Sequence, residues 1–317
     1  AVVAHATPVE AAKNLGTAVW RRSQHTKDAE IVDDRALFWR RLQIKAAFKR
    51  QRPKSDSASA PTSDPVSEKE PQQKILDTRL LEAFERASRG FSDIQFGSDT
   101  DLKILITGFD PFGLHRDLSQ SNPSGAAALS LDGLIIKSQG ITAELQSAVF
   151  PVRFADFDAG MVESVLEPLL AAAALDAIIT ISMGRSGFDL ERFPARRRSA
   201  TAPDNLMVTT SASPTNPLVP SLLGKPLNGP EFVEFSLPVE GMLSIQHPYP
   251  VRDNRRVATL QRGAITATEL AELNQQTSVT GSGGGYLSNE ISYRSILLSQ
   301  AIPTGHIHTP RVEGFDY

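Results

Sequence analysis

Apolar positions recur at helical spacing in the first hundred residues and in short strand-like and helix-like runs after that. Thr7-Pro8-Val9-Glu10 combines a capping box with proline at the first helical position, so a helix is expected to start there and run toward Arg22. Asp33 or Asp34 is placed to cap a second helix, in which Leu37, Phe38, Ile44 and Phe48 recur at roughly helical spacing. A third is expected over residues 75–89, with Leu76, Leu80, Leu81 and Phe84 on one face and Gly90 as its stop. Residues 53–71 are rich in Ser, Pro, Lys and Glu with almost no large apolar side chain, the composition of a flexible linker.

Beyond residue 100 strand and helix patterns alternate. Strands are expected near 103–107, 148–152, 177–182 and 278–281, and helices near 157–174 and 289–300. Such alternation favours an α/β sandwich with a largely parallel or mixed sheet. Residues 214–257 are proline-rich and irregular and read as extra loops, and no internal repeat is visible. The chain divides on this basis into a helical N-terminal extension (1–52), a flexible linker (53–73), a connecting helix (74–100) and an α/β domain (101–317).

Composition changes the picture at a few points. A chain of 317 residues, 40% hydrophobic and 22% charged, suffices for one sizeable domain plus an extension. A net charge of −3 argues against a general nucleic-acid binder. The absence of cysteine rules out disulfides and Cys-ligated zinc but leaves the compartment open. No apolar run is long enough for a transmembrane helix, so no transmembrane segment is expected. The chain starts at Ala1, and Ala4-His5-Ala6 has the small-x-small pattern of a signal-peptidase site, which favours a trimmed, exported protein (periplasmic or secreted) over a cytoplasmic one. The basic run over residues 35–54 reads as a solvated helical face, with a membrane surface or an acidic partner as the alternative.

The candidates for chemistry are Ser288, His308 and Glu191. A hydroxyl attacks an amide carbonyl usefully only if a base takes its proton, and an imidazole does so best when a third group fixes its tautomer. These residues supply nucleophile, base and orienting carboxylate in that order. Gly283, Gly284 and Gly285 precede Ser288 and residues 291–298 read as a buried helix, so Ser288 is expected in a first helical turn, where free N–H groups and the positive dipole end stabilise an oxyanion. Taken singly, each signal has a plainer reading: Ser288 as a helix N-cap and Glu191-Arg192 as a surface ion pair. His306 and His308 share one strand face at metal-ligand spacing, but no third ligand sits in a recognisable motif, so no metal is expected. The glycines at 281–285 lack the Gly-Lys-Ser/Thr ending of a phosphate loop, and no cofactor is expected.

A set of collinear motifs extends these candidates: Thr107-Gly108-Phe109-Asp110-Pro111-Phe112-Gly113, Asn122-Pro123-Ser124, Phe150-Pro151-Val152, Gly184-Arg185 with Glu191-Arg192 after it, Pro203-Asp204-Asn205, Tyr286-Leu287-Ser288-Asn289 and Ile307-His308-Thr309-Pro310. Their order resembles the pyroglutamyl peptidase I (pyrrolidone-carboxylate peptidase) family over roughly the C-terminal two-thirds of the chain. The resemblance implies a three-layer α/β/α sandwich with a mixed, largely parallel sheet, carrying the helical extension in front. It implies a hydrolase that removes N-terminal 5-oxoproline from peptides, so peptides with N-terminal pyroglutamate are the expected partners, and a homo-oligomer stays open. Carried over, Glu191 is the orienting acid, His308 the base, and Ser288 stands at the position of the family's nucleophilic cysteine. Phe109 and Phe112 match the aromatic walls of the oxoproline pocket, with Leu287 beside them; a neutral lactam suits such an apolar slot because it brings no ammonium to desolvate.

Three departures accompany the match. A serine hydroxyl is far less ionised than a thiol, so a site tuned for a thiolate can leave Ser288 inert. Thr201 stands where the family has an arginine, with Arg196, Arg197 and Arg198 close by in sequence, and the stretch before Gly184-Arg185 is shortened to Ile181-Ser182-Met183. Ser288 is then a cysteine changed to serine, the nucleophile of a natural serine hydrolase, or the mark of a relative without catalysis. Two functional classes stay open: a pyroglutamyl exopeptidase, and a peptide-binding or interaction protein that keeps the pocket without turnover.

Overall fold

The structure, a computed structural model, describes residues 6–24, 33–50 and 69–313. The chain forms two compact units, Ala1–Ile94 and Gln95–Tyr317. Most of the expected linker lies outside the described residues.

The first unit holds α1 (Pro8–Gln24), α2 (Asp34–Arg50) and α3 (Lys69–Ala87). The capping box closes as its residues dictate: Glu10 N donates to Thr7 Oγ1 at 3.3 Å, and Thr7 N to the Glu10 carboxylate at 2.7 Å. The apolar stripes bury Val19 and Trp20 of α1, Leu37 and Phe38 of α2, and Phe84 and Ala87 of α3. α3 begins six residues before its expected start, taking in Pro71, which a first helical turn tolerates because its N–H groups have no intrahelical acceptor. Its end is followed by Gly90 in the left-handed region, as expected of a stop.

The second unit runs β1 (Leu102–Phe109), α4 (Pro123–Leu131), β2 (Leu134–Ser138), β3 (Ile141–Phe150), α5 (Phe154–Asp158), α6 (Met161–Ala171), β4 (Ala177–Met183), β5 (Phe188–Glu191), the hairpin β6 (Ser221–Leu222) and β7 (Lys225–Pro226), and α7 (Val239–Leu243). It continues through β8 (Val251–Asn254), β9 (Arg256–Thr259), β10 (Gly263–Thr266), β11 (Ser278–Thr280), α8 (Leu287–Ser299) and β12 (Thr304–Thr309). A seven-stranded sheet has the order β2-β3-β1-β4-β12-β5-β8. β3, β1, β4 and β12 are parallel, β2 is antiparallel at one edge, and β5 and β8 run together against β12. Strand alternation assigns the layers. Ile104 and Ile106 of β1 pack with Ile179 and Ile181 of β4 and Leu131 of α4, whereas Phe109, of opposite parity, stacks on Phe157 of α5 at 6.2 Å. Helices therefore cover both faces, the mixed, mostly parallel α/β arrangement expected.

Four local expectations change. The helix expected over 157–174 is two helices, because Gly160 adopts φ 76° and breaks the hydrogen-bond ladder between α5 and α6. The strand near 278–281 exists as β11 but belongs to a separate antiparallel sheet, β10-β9-β11. Residues 214–257 are not only loops: they supply a hairpin, α7 and the edge strand β8. α4 was not foreseen, although Asn122 is its N-cap, accepting from Ser124 N at 3.1 Å, with Pro123 at its first position. Among the described residues no helix is long and apolar enough to cross a membrane.

Candidate active site

The parallel strands end at one edge of the sheet, where α/β folds hold ligands, and there they deliver Phe109, Met183 and His308. β5 lies antiparallel to β12 with Leu190 opposite Ile307 and Asp189 opposite His308, which brings the next residue, Glu191, to the imidazole. His308 Nδ1 and Glu191 Oε1 are 2.6 Å apart. A carboxylate oxygen only accepts, so Nδ1 is the donor in this contact and Nε2 is the nitrogen turned away from Glu191. The other oxygen of the almost fully buried Glu191 accepts from Asn254 Nδ2 at 2.9 Å. Asn254 pairs with Glu191 across β5 and β8, donates again to Ser282 O at 2.9 Å and accepts from Arg256 N at 3.2 Å. It fixes the carboxylate that fixes the histidine.

Ser288 is the second residue of α8, within its first turn. Its hydroxyl donates to Gly283 O at 3.3 Å, and a Cβ added at Gly283 would come into contact with His308 Cε1 at 3.5 Å, so Gly283 lies between the two candidates without filling that space. The start of α8 is held by Asn289, whose Oδ1 accepts from Ala195 N at 2.9 Å and whose Nδ2 donates to Ala195 O at 2.7 Å. This closeness requires glycine at 281, where a Cβ would meet Asn289 Oδ1 at 2.1 Å. The next residue, Glu290, accepts from Arg198 at 2.6 Å and from Arg294 at 2.9 Å inside the unit.

Phe109, Phe112, Met183, Tyr286, Leu287 and Ser288 share a cavity of about 100 Å³, small against the several hundred that larger ligands fill. The Tyr286 ring lies 5.4 Å from that of Phe112 and edge-on to that of Phe154 at 5.3 Å. Its hydroxyl donates to Pro203 O at 2.9 Å, and burial, then the charge of Asp204, pushes the phenol well above its ordinary range. Glu191 and His308 line a second cavity of about 640 Å³, and Met183 lines both. Nucleophile candidate and base candidate thus border adjoining spaces.

His306 is fully buried, with Nδ1 2.8 Å from Thr180 Oγ1 and Nε2 2.8 Å from Ser182 Oγ. Burial, then the neighbouring His308, holds it well below its ordinary pKa, so it is neutral. Both ring nitrogens are engaged, which makes it a packing partner of His308, edge-on at 4.9 Å. The three arginines near Thr201 do not reach the pocket as free cations: Arg196 and Arg197 bind Glu231, and Arg198 binds Glu290 and Asp158. Three contributors were not singled out from the sequence. Tyr286 lay in a recognised motif and Met183 in the shortened stretch before Gly184-Arg185, but Asn254 gave no signal because its segment reads as loop.

The family described as PA0049, C-terminal domain, matches residues 103–246 and 251–313. The chain belongs to this PA0049 C-terminal domain family. The uncharacterized protein PA0049 of Pseudomonas aeruginosa is 26% identical over 410 aligned residues, spanning 99% of this chain and 71% of that protein. A pyrrolidone-carboxylate peptidase of Pyrococcus furiosus is 34% identical over 106 residues, which is 33% of this chain and 45% of that enzyme. Among solved structures, a mutant pyrrolidone carboxyl peptidase from P. furiosus superposes with a TM-score of 0.46 at 25% identity, covering 67% of this chain and 82% of its own. The pyroglutamyl peptidase I of Bacillus amyloliquefaciens gives 0.45 at 20% identity, with 67% and 83% covered. The PA0049-type domain thus shares partial sequence similarity with pyrrolidone-carboxylate peptidase.

Proposed function

We propose that this PA0049-type domain is a pyroglutamyl-peptidase-like hydrolase that removes N-terminal 5-oxoproline from peptides. The observation that carries the reading is the 2.6 Å bond between His308 Nδ1 and Glu191 Oε1, at the strand edge where Ser288 begins α8. His308 Nε2 takes the proton of Ser288 as Oγ attacks the exocyclic carbonyl carbon that joins oxoproline to the next residue, and returns it to the amine that leaves as this amide bond breaks; water then releases the acyl group by the same route. Amides of the first turn of α8 face the developing oxyanion. Phe109, Phe112 and Leu287 wall the lactam. For attack the hydroxyl has to leave Gly283 O and engage His308, a tightening of the kind that bound substrate brings about.

A second reading, a peptide-binding relative without turnover, is favoured by that same bond of Ser288 to Gly283 O and by the pairing of all three nearby arginines elsewhere. Hydrolysis of pyroglutamyl-p-nitroanilide by the wild type, Ser288→Ala and Ser288→Cys decides between them. The hydrolase reading expects turnover that Ser288→Ala abolishes and Ser288→Cys raises at least about tenfold, because a thiol ionises far more readily beside an imidazole. Folded protein that binds a pyroglutamyl ligand in calorimetry yet hydrolyses nothing in any form supports the second reading; absence of binding overturns both.

A further inference from the structure

The larger cavity is not explained by the lactam. It opens on the His308 side of the site, where the part of a substrate beyond the scissile bond would lie, and its far wall is one face of the small antiparallel sheet. Alternation on β9 sends Val257 into the core with Phe193 and Phe232 and turns Arg256 and Ala258 the other way; Ala264 and Thr280, opposite Ala258, complete a smooth wall.

The charges around this space are unequally engaged. Its two carboxylates have partners: Glu191 holds His308 and Asn254, and Asp189 accepts from Arg252 at 3.3 Å. Its two guanidiniums, Arg185 and Arg256, are exposed and form no ion pair with any described carboxylate. Elsewhere in this unit Arg192, Arg196, Arg197, Arg198, Arg252, Arg255 and Arg294 each face a carboxylate, whereas Arg185 and Arg256, like Arg116, Arg262 and Arg311, keep their guanidiniums out of any described ion pair. Planar guanidinium donors match a carboxylate in charge and geometry.

Resting on the hydrolase reading above, we propose that Arg185 and Arg256 form a subsite for a carboxylate on the leaving portion of the substrate, so that the preferred substrates are pyroglutamyl peptides with an anionic leaving segment. The carboxylate comes from the free C-terminus of a short peptide or from an acidic side chain, and the two are separable. Full-length protein carrying Ser288→Ala is titrated calorimetrically with pyroglutamyl-alanyl-alanine as the free acid, with its C-terminal amide, and with pyroglutamyl-glutamyl-alanine amide. The free acid, the glutamyl peptide or both should bind about tenfold more tightly than the alanyl amide, the effect of an exposed charge-assisted contact to two arginines. Which of the two gains names the source. The gain should shrink as salt is raised and fall to about unity in Arg185→Gln/Arg256→Gln. Equal affinity for all three peptides overturns the subsite and leaves the oxoproline reading intact, whereas failure of every peptide to bind removes both.

Discussion

Replacing Asn289 by alanine tests how the start of α8 is held. The carboxamide spans both polar groups of Ala195, as a neighbouring strand would, accepting from its N–H at 2.9 Å and donating to its C=O at 2.7 Å. Ala195 is fully buried, and the flanking residues spend their own groups on the other side, Arg196 N donating to Glu231 O and Pro194 O accepting from Val233 N. Truncation leaves one buried donor and one buried acceptor unmet, each costing about 1–3 kcal/mol. Gly281, packed against the same carboxamide, borders the large cavity, so water reaches the vacated space and the sum falls toward the lower end, about 3 kcal/mol. For a unit of this size that is a drop of roughly 6–12 °C in melting temperature. Urea denaturation followed by circular dichroism, wild type against Asn289→Ala, reads it directly. A change below about 0.5 kcal/mol would refute the reasoning, because it would mean that the clamp contributes nothing its replacement by water does not.

Asn254→Ala frees one oxygen of Glu191, and because the site borders a wet cavity the loss in stability should stay under about 2 kcal/mol; steady-state kinetics on the chromogenic amide should show a fall of about tenfold in kcat with little change in KM, and an unchanged kcat would remove Asn254 from the positioning chain. Phe112→Ala opens the aromatic slot and should weaken calorimetric binding of a pyroglutamyl ligand by roughly 2 kcal/mol while leaving the melting temperature nearly unchanged; undiminished affinity would take the ring out of the pocket. His306 is held neutral well below its ordinary pKa, so its contribution to stability is complete above about pH 6.5 and is lost as pH falls toward the folded-state value. His306→Gln should therefore reduce the stability difference between pH 7 and pH 5 in parallel denaturation curves, and an unaltered difference would contradict the burial of a neutral ring.

The fold was legible where local signals and tertiary demand agree. Thr7 to Glu10 wrote a helix start in side chains that satisfy each other across one turn, and the apolar runs of β1 and β4 are buried on both faces as their composition requires. It was not legible where a single backbone angle decides, as at Gly160, or where the strand is set by its neighbours: β8 is four mostly polar residues, Val251 to Asn254, stabilised by pairing with β5 rather than by any propensity of its own. The site follows the same division. Ser288, His308 and Glu191 belong to motifs and could be named as candidates; the order β12-β5-β8, which brings Asn254 to Glu191, is a property of the sheet and has no counterpart in sequence spacing.

Proximity in sequence misleads most about the charges. Arg196, Arg197 and Arg198 lie just before Thr201 and look available to replace a missing cation, yet each is consumed by the scaffold. Burial raises the pKa of Glu231, but hydrogen bonds from Arg197, Ser278 and Arg196 outweigh it and hold the group at about 2, so this cluster stays ionised and closed at any physiological pH. Arg198 lies 4.9 Å over the ring of Phe154 and spends its guanidinium on Glu290 and Asp158, which stiffens the start of α8 and leaves nothing to offer the pocket. Phe109, Phe112, Tyr286 and Leu287 wall the smaller cavity, while Arg185 and Arg256 line the larger one, and Met183 borders both. A neutral ring needs no counter-charge and an anionic leaving segment does. Under the proposed hydrolase reading, the two cavities would divide the recognition of one substrate between apolar shape and charge.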